Sequence, residues 1–355
     1  MADQGGATGS SRSGGSATRK LKWLGVFVLV LIAGYTALWF FLAGRLEAGV
    51  ETAIARAQEN GTSLVCEDRE VRGYPFRLGV FCDGTVAETE AGTVRAGAFR
   101  SAAQIYRPGL VISEVDGPFA AEANGARIEG QWKTARASTR FGTSQLQLGI
   151  FELRDATLNL ATPGATPVAA TVGALTASTR PNGSNLDAAL EVTGLDIEPI
   201  QGRDVPPMDV SLDATVSGAG TALAYDGEPV QSLRGRDVEL RRLDLGILEG
   251  GHILTNGTVA VDDAGLATGE VQVSFSDLEA TLGALAGIAP ELAPQIEAIR
   301  PVLGQAGGGL LGNVLGDAAK DADAATAGTT QLTITLDQGR ARVGFIPLGQ
   351  VPPLP

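Results

Sequence analysis

At 355 residues the chain is long enough to bury a core as one large all-β domain or as two ordinary ones. Hydrophobic residues make up 44% of it and charged ones 19%, which excludes a wholly disordered polymer. A net charge of −13 and a pI near 4.6 argue against a nucleic-acid-binding surface.

Residues 1–22 are polar and rich in Gly, Ser and Ala, and read as a disordered tail that ends in a basic cluster, Arg19, Lys20 and Lys22. From Trp23 to Gly44 the run WLGVFVLVLIAGYTALWFFLAG carries no charge. About 20 apolar residues are needed to cross roughly 30 Å of hydrocarbon. The run exceeds the apolar core of a cleaved signal peptide, and the bulky Trp39-Phe40-Phe41 stands where a small-x-small cleavage site would be needed. It therefore predicts an uncleaved, single-pass transmembrane helix over 23–44. The basic cluster before it places the N-terminus in the cytoplasm and everything after it outside, which in a bacterium is the periplasm. Leu46, Val50, Ile54 and Ala57 then recur at helical spacing up to Asn60-Gly61, so a helical stalk is expected over 45–61.

The stretch CEDREVRGYPFRLGVFC holds the only two cysteines, Cys66 and Cys82. An even pair in an oxidising compartment forms a disulfide, and closing a loop of this size contributes roughly 3 kcal/mol. Zinc is disfavoured, because one histidine and no second cysteine pair leave too few ligands. At period two Leu64 and Cys66 share a face, as do Phe76, Leu78, Val80 and Cys82. Two antiparallel strands joined at Gly73-Tyr74-Pro75 would then set the cysteines on one inner face, within bonding reach. Gly73 supplies backbone freedom, and Pro75 fixes its own φ while biasing Tyr74 toward extended geometry. Gly73, Tyr74, Pro75, Phe76 and Arg77 thus read as a rigid turn motif, with either isomer open to the Tyr74–Pro75 bond.

From Leu64 to about Phe275 the chain alternates apolar and polar residues in short runs, including 126–132, 151–160, 186–197, 209–218 and 269–277. Turns are expected at Asp83-Gly84, Asn124-Gly125, Asn182-Gly183, Asp226-Gly227 and Asn256-Gly257. Helix is expected again over about 276–320, where Ser276 to Glu279 form a capping box ahead of Leu278, Leu282 and Leu285. A closing hairpin around Gln338-Gly339 follows over 330–346. The predicted fold class is mainly β: an N-terminal transmembrane helix, then an extended, meandering antiparallel β-sheet domain over 62–355 with a few C-terminal helices packed on it.

Three of these features carry a family resemblance: the anchor, the short amphipathic helix, and the Gly-aromatic-Pro-Phe-Arg corner flanked by cysteines. Together they resemble an uncharacterised bacterial membrane-anchored family, domain of unknown function 2125. The tail GRARVGFIPLGQVPPLP, from Gly339 to Pro355, is similar to the way that family ends. More distantly, the β-rich pattern is similar to envelope proteins of the AsmA type. That similarity implies lipid handling between membranes.

No catalytic constellation stands out. His252 has no Gly-x-Ser-x-Gly elbow to serve, and no phosphate-binding glycine loop occurs. Arg241-Arg242 reads as a solvated strand edge rather than a lipid-phosphate contact. No cofactor, metal site or nucleic-acid partner is expected. The sequence points to a non-enzymatic envelope protein, anchored in the inner membrane, that binds lipid or another apolar ligand. The alternative is a structural or protein-interaction module presenting its sheet edges or acidic surface.

Overall fold

In the computed structural model, residues 15–199, 205–225, 230, 232–247, 251–276, 280–283 and 330–354 are described. One continuous helix, α1 (Gly15–Glu59), opens the chain. At 1.5 Å per residue its length is about 67 Å, so the expected span and stalk are a single rod. Residues 15–22, expected to be disordered, are helical: once the apolar run has nucleated a helix, extending it through Ala17 to Lys22 costs little. Residues 1–14 lie outside the described part. Among the described residues α1 is the one helix long and apolar enough to cross a membrane, and it is compatible with a membrane anchor. From Arg19 to Gly34 its side chains are exposed: Trp23, Phe27 and Leu29 are 70%, 58% and 67% exposed. Its second half turns a stripe of Leu46, Val50, Ile54 and Ala57, each half-buried, toward the rest of the protein.

After α1 the chain is an antiparallel meander of long ribbons. The first five ribbons are each interrupted once. They are β1 (Ser63–Glu67) with β2 (Glu70–Arg72), β3 (Arg77–Cys82) with β4 (Gly84–Thr89), and β5 (Gly92–Ala96) with β6 (Phe99–Gln104). The fourth and fifth are β7 (Arg107–Val115) with β8 (Phe119–Ala123), and β9 (Ala126–Gln131) with β10 (Thr134–Phe141). Longer strands follow: β11 (Leu146–Ala161), β12 (Val168–Asn182), β13 (Asn185–Ile197), β14 (Met208–Val216) and β15 (Arg236–Ile247). The last are β16 (Gly251–Val261), β17 (Ala267–Phe275), β18 (Thr330–Asp337), β19 (Arg340–Val343) and β20 (Ile346–Gln350).

Each ribbon between the first and the last pairs with the one before and the one after it. Both halves of the early ribbons find the matching halves of their neighbours: β1 pairs β4 while β2 pairs β3, and β9 and β10 share the two ends of β11. The interruptions therefore fall in line across the sheet and form a crease. It runs through Asp68 (φ 45°), Asp83, Gly97, Asp116, Trp132 and Asp155 (φ 49°), and on to Gly173 and Gly194 (φ 62°). Neighbouring crease residues stay bonded to one another: the Asp83 amide donates to the Glu67 carbonyl at 2.9 Å, and that of Lys133 to Arg154 at 3.1 Å.

Directly opposed residues in an antiparallel pair share a face, so the registers sort every side chain. Among the described residues, every buried apolar side chain on the strands, from Val80 in β3 to Leu332 in β18, points to one face. Burial is deepest along the crease, where Ala135, Leu153, Ala156, Val172 and Val192 cluster with Trp132, Val115, Leu175 and Val210 around them. A crease that hides its apolar side is bent toward that side, as interruptions of this kind bend strands. The opposite face is laced with ion pairs such as Arg100–Asp116 at 2.6 Å and Arg136–Glu152 at 2.7 Å, with Val65, Ile112 and Leu254 exposed among them.

Several expected turns need correction. Asp83-Gly84 lies on the crease, and the chain runs straight on through it into β4. Asn256-Gly257 sits inside β16, where Gly257 (φ 156°) lets β17 approach: an added Cβ would stand 2.2 Å from the Glu270 carbonyl oxygen. By contrast, Asn124-Gly125 (φ 51° and 78°) does reverse the chain between β8 and β9, as Asn182-Gly183 does between β12 and β13. Asp226-Gly227 lies outside the described residues, as does most of the expected helical stretch 276–320. Of that stretch, 280–283 form a helical turn in which Leu282 is buried. The hairpin at Gln338-Gly339 joins β18 to β19, and β20 adds one further strand.

Candidate functional site: a helix-docked corner and an open apolar face

The corner begins at Gly73, whose φ of 125° few other residues adopt and whose carbonyl accepts the Arg77 amide at 2.9 Å. Tyr74–Pro75 is cis. The turn joins β2 to β3, with Val71 opposite Val80. The pairing expected for Cys66 and Cys82 is therefore different: β3 pairs with β2, and Cys66 lies on β1 opposite Thr85 of β4. The break at Asp68 separates Cys66 from the strand that meets β3. The two cysteines nonetheless share the apolar face and are bonded across the crease, with Cα atoms 5.2 Å apart.

The corner rests on α1. Trp39 Nε1 donates to the Arg77 carbonyl at 2.9 Å, Thr36 Oγ1 and the Tyr74 hydroxyl are 2.9 Å apart, and the Tyr35 hydroxyl donates to the Pro75 carbonyl. The Tyr74 ring stacks on Phe40 at 6.3 Å and meets Trp39 edge-on at 5.6 Å. Trp39, at 5% exposure, is the anchor of this contact. Strand and helix rises explain the meeting point. Ten extended residues, 63–72, retrace about 33 Å, the distance that about 22 helical residues climb from position 59 back to 37. The corner consequently lands inside the uncharged run and not on the stalk. Sequence reasoning identified the corner but missed its seat, although this length arithmetic was available.

The apolar face is the second part of the site. Met208, Val210 and Leu212 of β14 lie opposite Ile247, Leu245 and Leu243 of β15, and Ile253 and Val273 carry the same face onward through β16 and β17. Over the first six ribbons this face is buried at Val80, Cys82 and along the crease and opens away from them. Leu64, Val94, Ile128, Phe151 and Leu160 all point from it and stay about 40% exposed.

The polar face holds a cluster in which Asp187 is buried. It accepts from Thr215 at 2.8 Å, Arg180 at 3.1 Å, Asn182 at 3.2 Å and Arg241 at 3.3 Å. Burial pushes this carboxyl up, but those donors outweigh it and hold its pKa at about 2. Arg241 also reaches Asp213, and Arg242 meets Asp244 at 2.6 Å. The arginine pair is thus neither a strand edge nor a free phosphate site. A register shift between Leu240 and Leu243 turns both side chains to the polar face of an interior strand. His252 is an exposed neighbour of Asp244 at 3.3 Å.

These elements define an antiparallel sheet hung on one N-terminal apolar helix. The chain belongs to the family described as an uncharacterised protein conserved in bacteria (DUF2125), which it matches over residues 39–352. The match starts at Trp39, so it takes in Trp39 and Phe40 of the helix–corner contact as well as the sheet. No curated protein and no solved structure matches the chain.

Proposed function

We propose that the chain is a non-enzymatic acyl-chain-binding protein of the bacterial envelope, with α1 crossing the inner membrane and the sheet standing in the periplasm. The observation that carries this reading is the continuous apolar face with its half-exposed Phe151, Leu160 and Ile128. Soluble monomers rarely leave such a face to water. Its attachment to a helix of membrane-spanning length names the nearest apolar occupant, because each buried methylene of a lipid tail is worth about 0.8 kcal/mol. The arginines and carboxylates of the polar face are engaged with one another, which suits a solvated back. A disulfide fits the same compartment.

Photo-reactive residues placed at Phe151 and Leu160, with Asn159 and Glu191 of the polar face as controls, test the reading in the full chain in cells. Phospholipid adducts at the first pair alone are expected. Protein adducts at Phe151 and Leu160 instead would replace the reading with that of an interaction module.

A further inference from the structure

The meander has two ends, and the contact with α1 tells them apart. Because β1–β2 runs back down the helix to Tyr35–Phe40, the end bearing Tyr74-Pro75-Phe76 is the one brought to the apolar run. Antiparallel pairing then puts at that same end the turns 105–106 and 142–145, residues 217–225, and the turns 262–266 and 338–339. Direct bonds knit this row together. The Ile105 amide donates to the Phe76 carbonyl at 3.1 Å, the Tyr225 hydroxyl donates to the Gly142 carbonyl at 2.6 Å, and the Leu354 amide donates to the Gly265 carbonyl at 2.8 Å.

Exposed aromatic rings collect there. Tyr74, Phe76, Tyr106, Phe141 and Tyr225 are between 41% and 67% exposed, and all five lie on this row. Among the described residues the turns of the opposite end, 90–91, 124–125 and 162–167, carry no such ring, and Phe345 stands at the short β19–β20 turn, level with the middle of β17. Tyrosines, with a wet tip and an apolar body, are what a bilayer interface selects, and Phe76 and Phe141 add apolar rings beside them. Trp39 and Tyr35 stand five and nine residues before Gly44, which puts the corner about 8–14 Å inside the apolar boundary of α1. Three arginines of the same end, Arg77, Arg107 and Arg140, have no carboxylate partner among the described residues, whereas Arg100 and Arg136 farther up the same ribbons are paired.

We infer that this row of turns is a membrane-seated rim: the aromatic side chains enter the leaflet from which α1 emerges, and Arg77, Arg107 and Arg140 meet its phosphates. Resting on the acyl-chain reading, this rim is where a lipid tail passes from the bilayer onto the apolar face. A thiol introduced at Phe76 or Tyr106 is the one that reacts with a spin label, since Cys66 and Cys82 are bonded to each other. Both side chains are exposed, so labels displace no packing; the two positions are independent, and an intact Cys66–Cys82 bridge reports folding for each.

The experiment uses the full chain in nanodiscs of phosphatidylethanolamine and phosphatidylglycerol. It compares labels at Phe76→Cys and Tyr106→Cys with labels at Ala91→Cys and Ala165→Cys of the far end. The expected result is several-fold lower collision with a water-soluble nickel chelate, relative to oxygen, at the first pair. Equal water access at both ends overturns the rim, whatever photo-crosslinking shows at Phe151 and Leu160. Shielded rim labels without lipid adducts on the apolar face uphold the rim and remove the lipid reading instead.

Discussion

Asp187→Asn tests how the wide sheet is held together on its polar side. Asp187 of β13 is tied to Arg180 and Asn182 of β12, to Thr215 of β14 and to Arg241 of β15, so one carboxylate joins four ribbons. Its pKa falls from an ordinary 3.8 to about 2 on folding. At 1.36 kcal/mol per pH unit, that depression corresponds to about 2 kcal/mol of stability. A depressed acid contributes fully above its unfolded pKa, so the contribution is complete above about pH 5 and is lost as pH falls through 3.8 toward 2. At neutral pH the amide leaves Arg241 with Asp213 alone and weakens the charge-assisted bonds from Arg180 and Thr215, and a loss of about 2 kcal/mol is expected. Denaturant unfolding followed by the circular dichroism of the sheet, on both chains between pH 7 and 2, measures each part. The difference between them should shrink as pH falls. Parallel curves for wild type and variant across that window would refute the reasoning.

Three further outcomes follow from the geometry. Trp39→Phe keeps ring contact but removes the bond to the Arg77 carbonyl, and should loosen the helix–corner contact by about 1 kcal/mol; Trp39→Ala should cost about 3 kcal/mol or more, and cross-linking between thiols placed at Thr36 and Tyr74 reads both. Maleimide labelling of denatured protein taken from cells should find no free thiol, and Cys66→Ser with Cys82→Ser should lower stability by roughly 3 kcal/mol in denaturant titrations. Gly257→Ala and Gly92→Ala, whose new methyls would stand 2.2 Å and 1.9 Å from carbonyl oxygens, should each cost about 2–4 kcal/mol in thermal unfolding. Gly183→Ala has open space and a φ of 62°, and should cost about 1–2 kcal/mol.

Much of this architecture was legible in the alternation of residues. Runs such as 186–197 carry apolar side chains at period two, and that parity placed both cysteines on the correct face. What the alternation could not display is the crease. A break such as Asp68 or Asp83 leaves each half-strand patterned normally, so two half-strands read as two elements with a turn between them. Asn256-Gly257 misled for a related reason: the same dipeptide serves a tight reversal or a close interstrand approach, and only the partner strand decides which. Arg241-Arg242 depended on a one-residue register shift that no local pattern records. The corner's composition marked it as special, while its seat on α1 emerges only when strand and helix rises are compared.

The order of pairing has a consequence for how this protein is made. Almost every ribbon finds its partner in the segment synthesised just before it, and the first ribbon finds α1. The sheet can therefore assemble like a zip behind the emerging chain, each new stretch closing the edge left by its predecessor, without waiting for a distant partner. The one long wait is between β17 and β18, separated by residues 276–329. Until β18 arrives, β17 is the growing edge, so truncations ending before Thr330 would leave that edge open to neighbouring chains.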